Sequence, residues 1–508
     1  MRSRSNSLCL VLISLVFTST TTAHGGHPTK SVVIIGAGIG GTSCAHYLSK
    51  QDPVDKITIF EAQDDVGGRI KDVSFWNTTV GLGAKYFNAG QRHIAELAKV
   101  LNLTVGSFQQ TSYPKIFVWD GAHQLQTTTD VLARNPGAET EMQSRLTDYS
   151  TAVNETYDKY ASRSVFESVH AYLRAGGLDE FVGRSASAYF SDGPTPLSQE
   201  AQDYLIEPVS RPYFGQGLES QSMLGMVCLE GLLRNSFYIE GGMSQLVRGL
   251  VESSGADLNL NSRVTHIIRK TQEDASQQYT VKYVTDGVDH EIDADAVVIA
   301  APLEWADIKF EGFYSDPSTT QPRRSWNTLY TYVSFVVAES LRPSYFPTQE
   351  HFINGSSPLP LLTTSSSTLP WVSIYLQETT GRFNLYQVTS PINLTQNDLL
   401  DDLFDGVQEV TTKSWDYVYP LSPPIINEYF YQSLALDDRV FNLNGMESVA
   451  SQMETSVISA RNVARWIAKG NTSSCAVTLT SSLRIVTSVI LFNLFYYTRR
   501  LLMLWNIG

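Results

Sequence analysis

Cysteine is scarce in this chain: Cys9, Cys44, Cys228 and Cys475 are the whole supply in 508 residues. Cys9 would leave with an N-terminal targeting segment, and the scattered thiols that remain make neither a disulfide framework nor a zinc spacing. Cys44 falls in a predicted helix, where it reads as a small core residue rather than a nucleophile. Among nine histidines only His24 and His27 lie close together, ahead of the folded part, so no metal is expected. An excess of positive charge is missing too; a net charge of −14 argues against nucleic acid or an acidic membrane surface as the main partner. No nucleophile with its base, no dyad and no triad is evident. With 42% hydrophobic and 17% charged residues the chain is ordinary globular material, long enough for two domains.

What is present begins with residues 31–69, SVVIIGAGIGGTSCAHYLSKQDPVDKITIFEAQDDVGGR. Val32, Val33, Ile34 and Ile35 form a β-branched run of the length of one buried parallel strand. Gly36, Gly38 and Gly41 follow in G-x-G-x-x-G spacing and open a predicted helix through Ala45, Tyr47 and Leu48. In turn they allow a tight turn, close approach of backbone to a pyrophosphate, and packing of helix on strand. The helix N-terminus offers N–H groups and a positive dipole end to phosphates. A second predicted strand, residues 57–60, delivers Glu61 twenty residues after Gly41, where it accepts from ribose hydroxyls and repels a 2′-phosphate. A glycine triplet alone could be an ordinary turn, but strand, triplet, helix, strand and acid in this order point to a dinucleotide. Residues 61–69 resemble the E-x-x-x-x-x-G-G-R extension of amine-oxidase-like flavoproteins. There Gly67 and Gly68 permit a second close backbone approach and Arg69 offsets pyrophosphate charge. That resemblance implies FAD rather than NAD.

Further on, Gly81, Gly83 and Ala84 in VGLGAKYF make a small-residue loop that either backs an isoalloxazine ring or merely ends a strand. A helix is predicted over 92–101 with Ile94, Leu97, Ala98 and Leu101 on one face, and long polar helices over 138–172 with Met142, Leu146 and Tyr149 inward. A glycine pair precedes an amphipathic helix ending near 254; strands are predicted over 258–268, 279–284 and 295–301, with a turn at Asp286 and Gly287. Aromatics crowd 306–424, among them Trp326, Tyr330, Tyr332, Phe335, Trp371 and Tyr375. Alternation over 329–337 gives sheet, which floors an apolar pocket or simply packs a core. Near the end, Gly445 and Glu447, then Met453, Glu454, Ser456 and Val457, fit the closing G-x-E … M-E-x-S/G-A/V pattern of FAD amine-oxidase folds. In those folds the pattern sets a helix N-terminus near the flavin pyrimidine edge, where N–H groups stabilise negative charge. Val449, Met453, Val457 and Ala460 are equally helix-packing spacings. The same resemblance implies that the backbone at Val264 holds the adenine and that the strand ending in Ala300 and Ala301 returns beside the cofactor.

The termini have a different character. Arg2 and Arg4, the apolar residues 8–17 and the small residues Thr21, Thr22 and Ala23 read as a signal peptide over 1–23, too short to span a bilayer. Sequons at Asn77, Asn102, Asn154, Asn354, Asn393 and Asn471 agree with entry to the secretory route, lysosome or vacuole included. At the other end, residues 485–498 are apolar between Arg484 and the pair Arg499 and Arg500. A span over 476–498 with Arg484 snorkelling, an interfacial anchor, and a variant C-terminus all stay open.

From 31 to about 468 the chain resembles the prenylcysteine oxidases, most of all the plant farnesylcysteine lyases. The stretches that carry this are SVVIIGAGIGGTSCAHYLSK, VGLGAKYFNAGQRHIAEL, and KSWDYVYPLSPP running on to LNGMESVASQMETSVISARNVA. The resemblance implies an α/β, monoamine-oxidase-like fold: a Rossmann-like FAD-binding domain over 31–111, 225–305 and 425–470, and an inserted α+β substrate domain on a mainly antiparallel sheet over 112–224 and 306–424. A tail over 471–508 follows. It implies cleavage of S-prenylcysteine, farnesyl first, to cysteine, a prenyl aldehyde and hydrogen peroxide, by hydride transfer from prenyl C1 to flavin N5 with oxygen as the final acceptor. Such chemistry needs orientation and an apolar pocket more than acid–base groups, so no catalytic side chain is expected. Arg211, Arg323 and Arg324 are candidates for the substrate carboxylate, each against a surface role. Without a cysteine between Cys228 and Cys475 the flavin is expected to be non-covalent. An amine or polyamine oxidase would share every cofactor motif. A flavin-free prenyl-binding escort protein would not need Glu61, Arg69 or the block at Glu447 and Glu454.

Overall fold

The run of β-branched residues after Lys30 forms the strand Ser31–Ile35 at the centre of a six-stranded sheet. The computed structural model describes residues 29–470 apart from 53, 109–113, 124, 163, 272–276, 326–330, 348–358, 396–398 and 416–417. Trp326, Tyr330, Asn354, Asn471, the signal segment and the tail therefore lie outside the described residues. Across the sheet the strands run Asp257–Asn259, Lys56–Phe60, Ser31–Ile35, Ala296–Ile299, Val440–Asn442 and Ala435–Asp437, parallel except for the last pair. Alternation divides the central strand between two faces. Val32 and Ile34 pack under the helices Ile39–Leu48 and Met453–Ala468, against Cys44, Leu48, Val457 and Ala460. Val33 and Ile35 face a four-stranded sheet through Ile267, Tyr279 and Val281.

The single strand expected over 258–268 is two. Asp257–Asn259 completes the parallel sheet, Asn261 turns through φ +51°, and Ser262–Thr271 begins the four-stranded sheet. Asparagine tolerates the left-handed conformation at such a corner, and a continuous apolar pattern hides it. Asp286 and Gly287, with φ of +52° and +76°, make the expected hairpin turn.

Residues 138–233 form a helical layer, with Ala138–Ala161 burying Met142, Leu146 and Tyr149. The domain boundary expected at 224/225 falls inside one helix, Ser222–Leu233, which is buried on both sides of that point through Met223, Leu224, Gly225 and Met226. These helices share a continuous core with the helical face of the parallel sheet.

A seven-stranded sheet completes the molecule. Its order is Glu409–Trp415, Thr331–Ala338, Phe383–Ser390, Ser373–Thr380, Leu361–Thr363, Phe117–Trp119 and Gln126–Thr127, antiparallel save for the pairing of Leu361–Thr363 with Phe117–Trp119. That parallel pair joins the two sequence segments flanking the helical layer.

Candidate active site

A cavity of about 570 Å³ starts at the glycine turn of the parallel sheet and ends against the seven-stranded sheet. At its first end Gly36 holds φ +104° and its N–H donates to Phe60 O at 2.8 Å. A Cβ on Gly38 would meet nothing nearer than Gly67 O at 3.8 Å, so a side chain there would project into the cavity. Gly41 differs: its Cβ would lie 1.9 Å from Gly36 O, which makes it a packing residue beneath the cavity floor. Gly67, at φ +123°, and Gly68 form the opposite wall, and Gly83 is pressed against Arg69 O, where a Cβ would come within 2.1 Å. Ala84 sits beside it, its N–H on Arg69 O at 3.0 Å. Ala300 and Ala301 line the cavity where the strand Ala296–Ile299 ends.

Glu61 also lines it. Its Oε2 accepts from Ala37 N at 2.8 Å and its Oε1 from Gln63 N at 2.9 Å, which fixes the carboxylate while leaving each oxygen a second lone pair. Val264 is not brought to this wall. Its strand leaves the corner beside Glu61, its backbone pairs with Tyr283, and its side chain is packed beneath the sheet.

At the far end of the glycine corridor the helix Met453–Ala468 opens on the cavity with no side-chain cap, as does Ile39–Leu48. Met453 and Ser456 line the cavity; Glu454 and Val457, one position on, point away from it. Glu454 instead accepts from the N–H groups of His93 at 2.9 Å and Ile94 at 3.0 Å, from His93 Nδ1 and from the Tyr157 hydroxyl, each at 2.7 Å. The flavin-edge role expected for it gives way to clasping the N-terminus of the helix Arg92–Val100, because successive helix residues diverge by about 100°. Gly445 and Glu447 are also off the cavity wall. A Cβ on Gly445 would meet Gln432 O at 3.0 Å.

Glu447 is buried between two guanidinium groups. Arg69 donates to its Oε1 and Arg324 to its Oε2 at 2.9 Å, while Arg324 also holds Glu304 with two bonds of 2.9 and 3.0 Å. Burial alone would raise the Glu447 carboxyl, but the two arginines outweigh it and hold the pKa below the ordinary value. Arg324 is thus a core residue rather than a surface one. Arg211 is tied to Thr363 Oγ1 at 2.7 Å and to Thr364 O; Arg323 is exposed.

The second half of the cavity is aromatic. Tyr213, Tyr375, Trp415 and Tyr419 line it with Val333 and Thr389, and burial pushes the phenols of Tyr375 and Tyr419 up, Tyr419 to about 12, so they stay neutral. Tyr375 belongs to the aromatic-rich segment evident in the sequence, whereas sequence reasoning misses Tyr213, Tyr419, Gln91, Asn444 and Lys85, which no spacing connects. Cys228 lines the cavity too, with a thiol that burial pushes up to about 12. So high a pKa leaves little thiolate to attack a cofactor.

The glycine corridor has the marks of a dinucleotide site. Two uncapped helix N-termini meet its glycine walls, and two buried polar atoms on the wall, Asn444 Nδ2 and Gln91 Oε1, have no hydrogen-bond partner. Buried polar atoms are rarely left unpaired, so a ligand that completes them fits.

The sequence profile of the prenylcysteine lyase family matches residues 138–477. The chain belongs to that family. A profile of NAD(P)-binding Rossmann-like domains covers residues 34–101. Among curated relatives, the farnesylcysteine lyase of Arabidopsis thaliana is 25% identical over 86% of this chain and 88% of its own. Human prenylcysteine oxidase 1 is 26% identical, with the same two coverages. Solved structures with this fold include a putrescine oxidase double mutant, with a TM-score of 0.60 at 17% identity over 87% of this chain and 99% of that one. Cyclohexylamine oxidase from Brevibacterium oxydans gives 0.58 at 17% identity and the same coverages.

Proposed function

We propose that the protein is an FAD-dependent thioether oxidase that cleaves S-prenylcysteine, farnesylcysteine first, to cysteine, a prenyl aldehyde and hydrogen peroxide, consuming oxygen and water. The observation that carries this reading is the junction of a glycine-walled dinucleotide corridor with an aromatic pocket, in a chain of the prenylcysteine lyase family. When bound, FAD supplies a two-electron acceptor that oxygen restores. Glu61 and the N-termini of Ile39–Leu48 and Met453–Ala468 would hold its polar groups, and Gly83 and Ala84 leave room for a planar ring. With no cysteine between Cys228 and Cys475, a flavin held without a covalent bond is part of the proposal.

The protein's part in the reaction is orientation. Tyr213, Tyr375, Tyr419 and Trp415 supply an apolar wall that takes an isoprenoid chain and keeps water from its length. Their neutral phenols bring no ionised group near the thioether. Holding the reactive carbon in a near-attack position is worth several orders of magnitude in rate without any proton transfer from a side chain. The fold is shared with amine oxidases, but family membership favours the thioether.

Anaerobic mixing of the purified protein with farnesylcysteine tests the reading. Flavin bleaching, followed by peroxide, cysteine and farnesal when oxygen is admitted, is the expected result. A flavin that stays oxidised with farnesylcysteine but bleaches with a primary amine overturns it. Entry to the secretory route is also proposed, on the strength of residues 1–23 and the exposure of Asn77, Asn102 and Asn154. A mass shift on glycosidase treatment is expected. Membrane association through 471–508 is part of the same proposal, on the strength of the apolar run 485–498 between Arg484 and Arg499.

A further inference from the structure

Among the described residues, the aromatic half of the cavity is lined by one cationic side chain. Of the side chains lining the cavity, Glu61, Arg69 and Lys85 are the charged ones. Glu61 is fixed by backbone N–H groups at the dinucleotide end, and Arg69 is spent on Glu447, Ser451 Oγ at 2.8 Å and Val418 O at 3.1 Å. Lys85 follows Ala84 in the small-residue loop and turns toward the seven-stranded sheet. There its Nζ donates to Gln377 Oε1 at 3.0 Å and to Gln387 Oε1, and lies 4.8 Å from the centre of the Tyr86 ring. Among the described residues no carboxylate comes within ion-pair distance of it. Asp72, the ionised group that acts on it, lies on the adjoining hairpin strand, with Oδ2 occupied by Ser244 N at 2.6 Å. The nearby phenols of Tyr86 and Tyr375 are pushed up by burial and carry no charge.

An ammonium held only by neutral amide oxygens, in a wall of otherwise uncharged side chains, is incomplete on its own. Its partner is absent from the protein and suits an anion brought by the ligand. We propose that Lys85 binds the α-carboxylate of the S-prenylcysteine substrate, with Gln377 and Gln387 accepting from its α-ammonium, so that the three residues fix the amino-acid end of the ligand. This rests on the thioether oxidase reading. It makes Lys85 the determinant that separates free prenylcysteine from forms whose carboxyl is blocked, such as a methyl ester or a peptide bond.

Lys85 also gives the site a pH dependence. Burial lowers its pKa to about 7, with Asp72 opposing. Only the protonated amine pairs with a carboxylate, so the advantage of wild type over K85Q in binding the free acid falls as pH rises through that value.

The test uses the flavin-loaded protein with S-dodecylcysteine, whose saturated thioether resists oxidation, and its methyl ester, with Kd read by calorimetry from pH 6 to 9. Wild type is expected to favour the acid by about tenfold at pH 6, and K85Q to lose that preference while binding the ester within about twofold of wild type at each pH. K85R, which keeps the charge, should retain the preference and flatten the pH profile. Equal losses for acid and ester in K85Q, or a defect confined to reoxidation by oxygen, overturn the assignment. If K85Q does not load flavin, a wild type with no acid preference at pH 6, or a K85R whose affinity for the acid falls with pH as steeply as that of wild type, overturns it as well. Should wild type bleach with neither farnesylcysteine nor its ester, the thioether reading itself has failed; if it bleaches with both and K85Q keeps the preference, only the Lys85 assignment has.

Discussion

Gly38 and Gly41 are three positions apart and answer to different partners. At Gly41 an added methyl would collide with Gly36 O, which is backbone and cannot move aside. Gly41→Ala is expected to cost on the order of 3 kcal/mol and to lower the Tm of the flavin-free protein. At Gly38 the methyl has room in the protein and none in the cofactor corridor. Gly38→Ala should leave the flavin-free Tm unchanged while the flavin retained after purification drops, by absorbance, to a minor fraction. Equal Tm losses in both variants would show that the corridor is not where the cofactor lies.

Glu447 raises a second prediction at this scale. Its pKa is held below the ordinary value of 4.5, so its ion-pair stabilisation is complete above that value and is lost as pH falls through the depressed one. Glu447→Gln takes an anion from buried Arg324, which keeps Glu304, and from half-exposed Arg69, at a cost of about 1–3 kcal/mol at neutral pH. Denaturant titrations should show the gap between wild type and variant narrowing below pH 4.5. A gap independent of pH would mean that the carboxylate charge is not what matters.

Among the elements, the helix Met453–Ala468 joins most parts of the site. One side gives Met453 and Ser456 to the cavity; another sends Glu454 to the start of Arg92–Val100. Removing that acceptor strands buried N–H and hydroxyl donors, so Glu454→Ala should destabilise by on the order of 3 kcal/mol. Because Glu454 does not face the cavity, flavin bound per folded molecule should stay at the wild-type ratio. Loss of flavin without loss of Tm would restore the cofactor role that the sequence pattern suggests. The pattern locates the helix, but not which residues along it turn toward the cavity, since that depends on the phase at which the helix docks.

For the molecule as a whole, the division into a cofactor domain and a substrate domain is softer than the sequence implies. Met142, Leu146, Phe190 and Leu224 belong to the same core as Ile34, Leu48 and Ala460. A fragment of residues 112–224 would expose that shared face and is expected to lack a cooperative thermal transition by circular dichroism. A folded, monomeric fragment would restore the sharper division. The seven-stranded sheet has its own core around Trp371, Ile374 and Tyr386, with both sequence segments of the expected substrate domain contributing strands.

Local order was enough for much of this. The β-branched run, the glycine spacing and Glu61 lie within 31 residues of one another, and each imposes a backbone conformation or a charge that neighbours in sequence suffice to dictate. The sequence by itself therefore determined the parallel strand, the turn, the helix it opens and the acid at its end, and through them a dinucleotide fold. Tertiary structure alone decided the rest. Tyr213, Tyr375, Tyr419 and Lys85 come from four separate segments and meet only once the sheets and helices are packed. The same packing turned Glu454 from the cavity and buried Arg324, because burial and facing follow from how elements dock and not from which residues compose them.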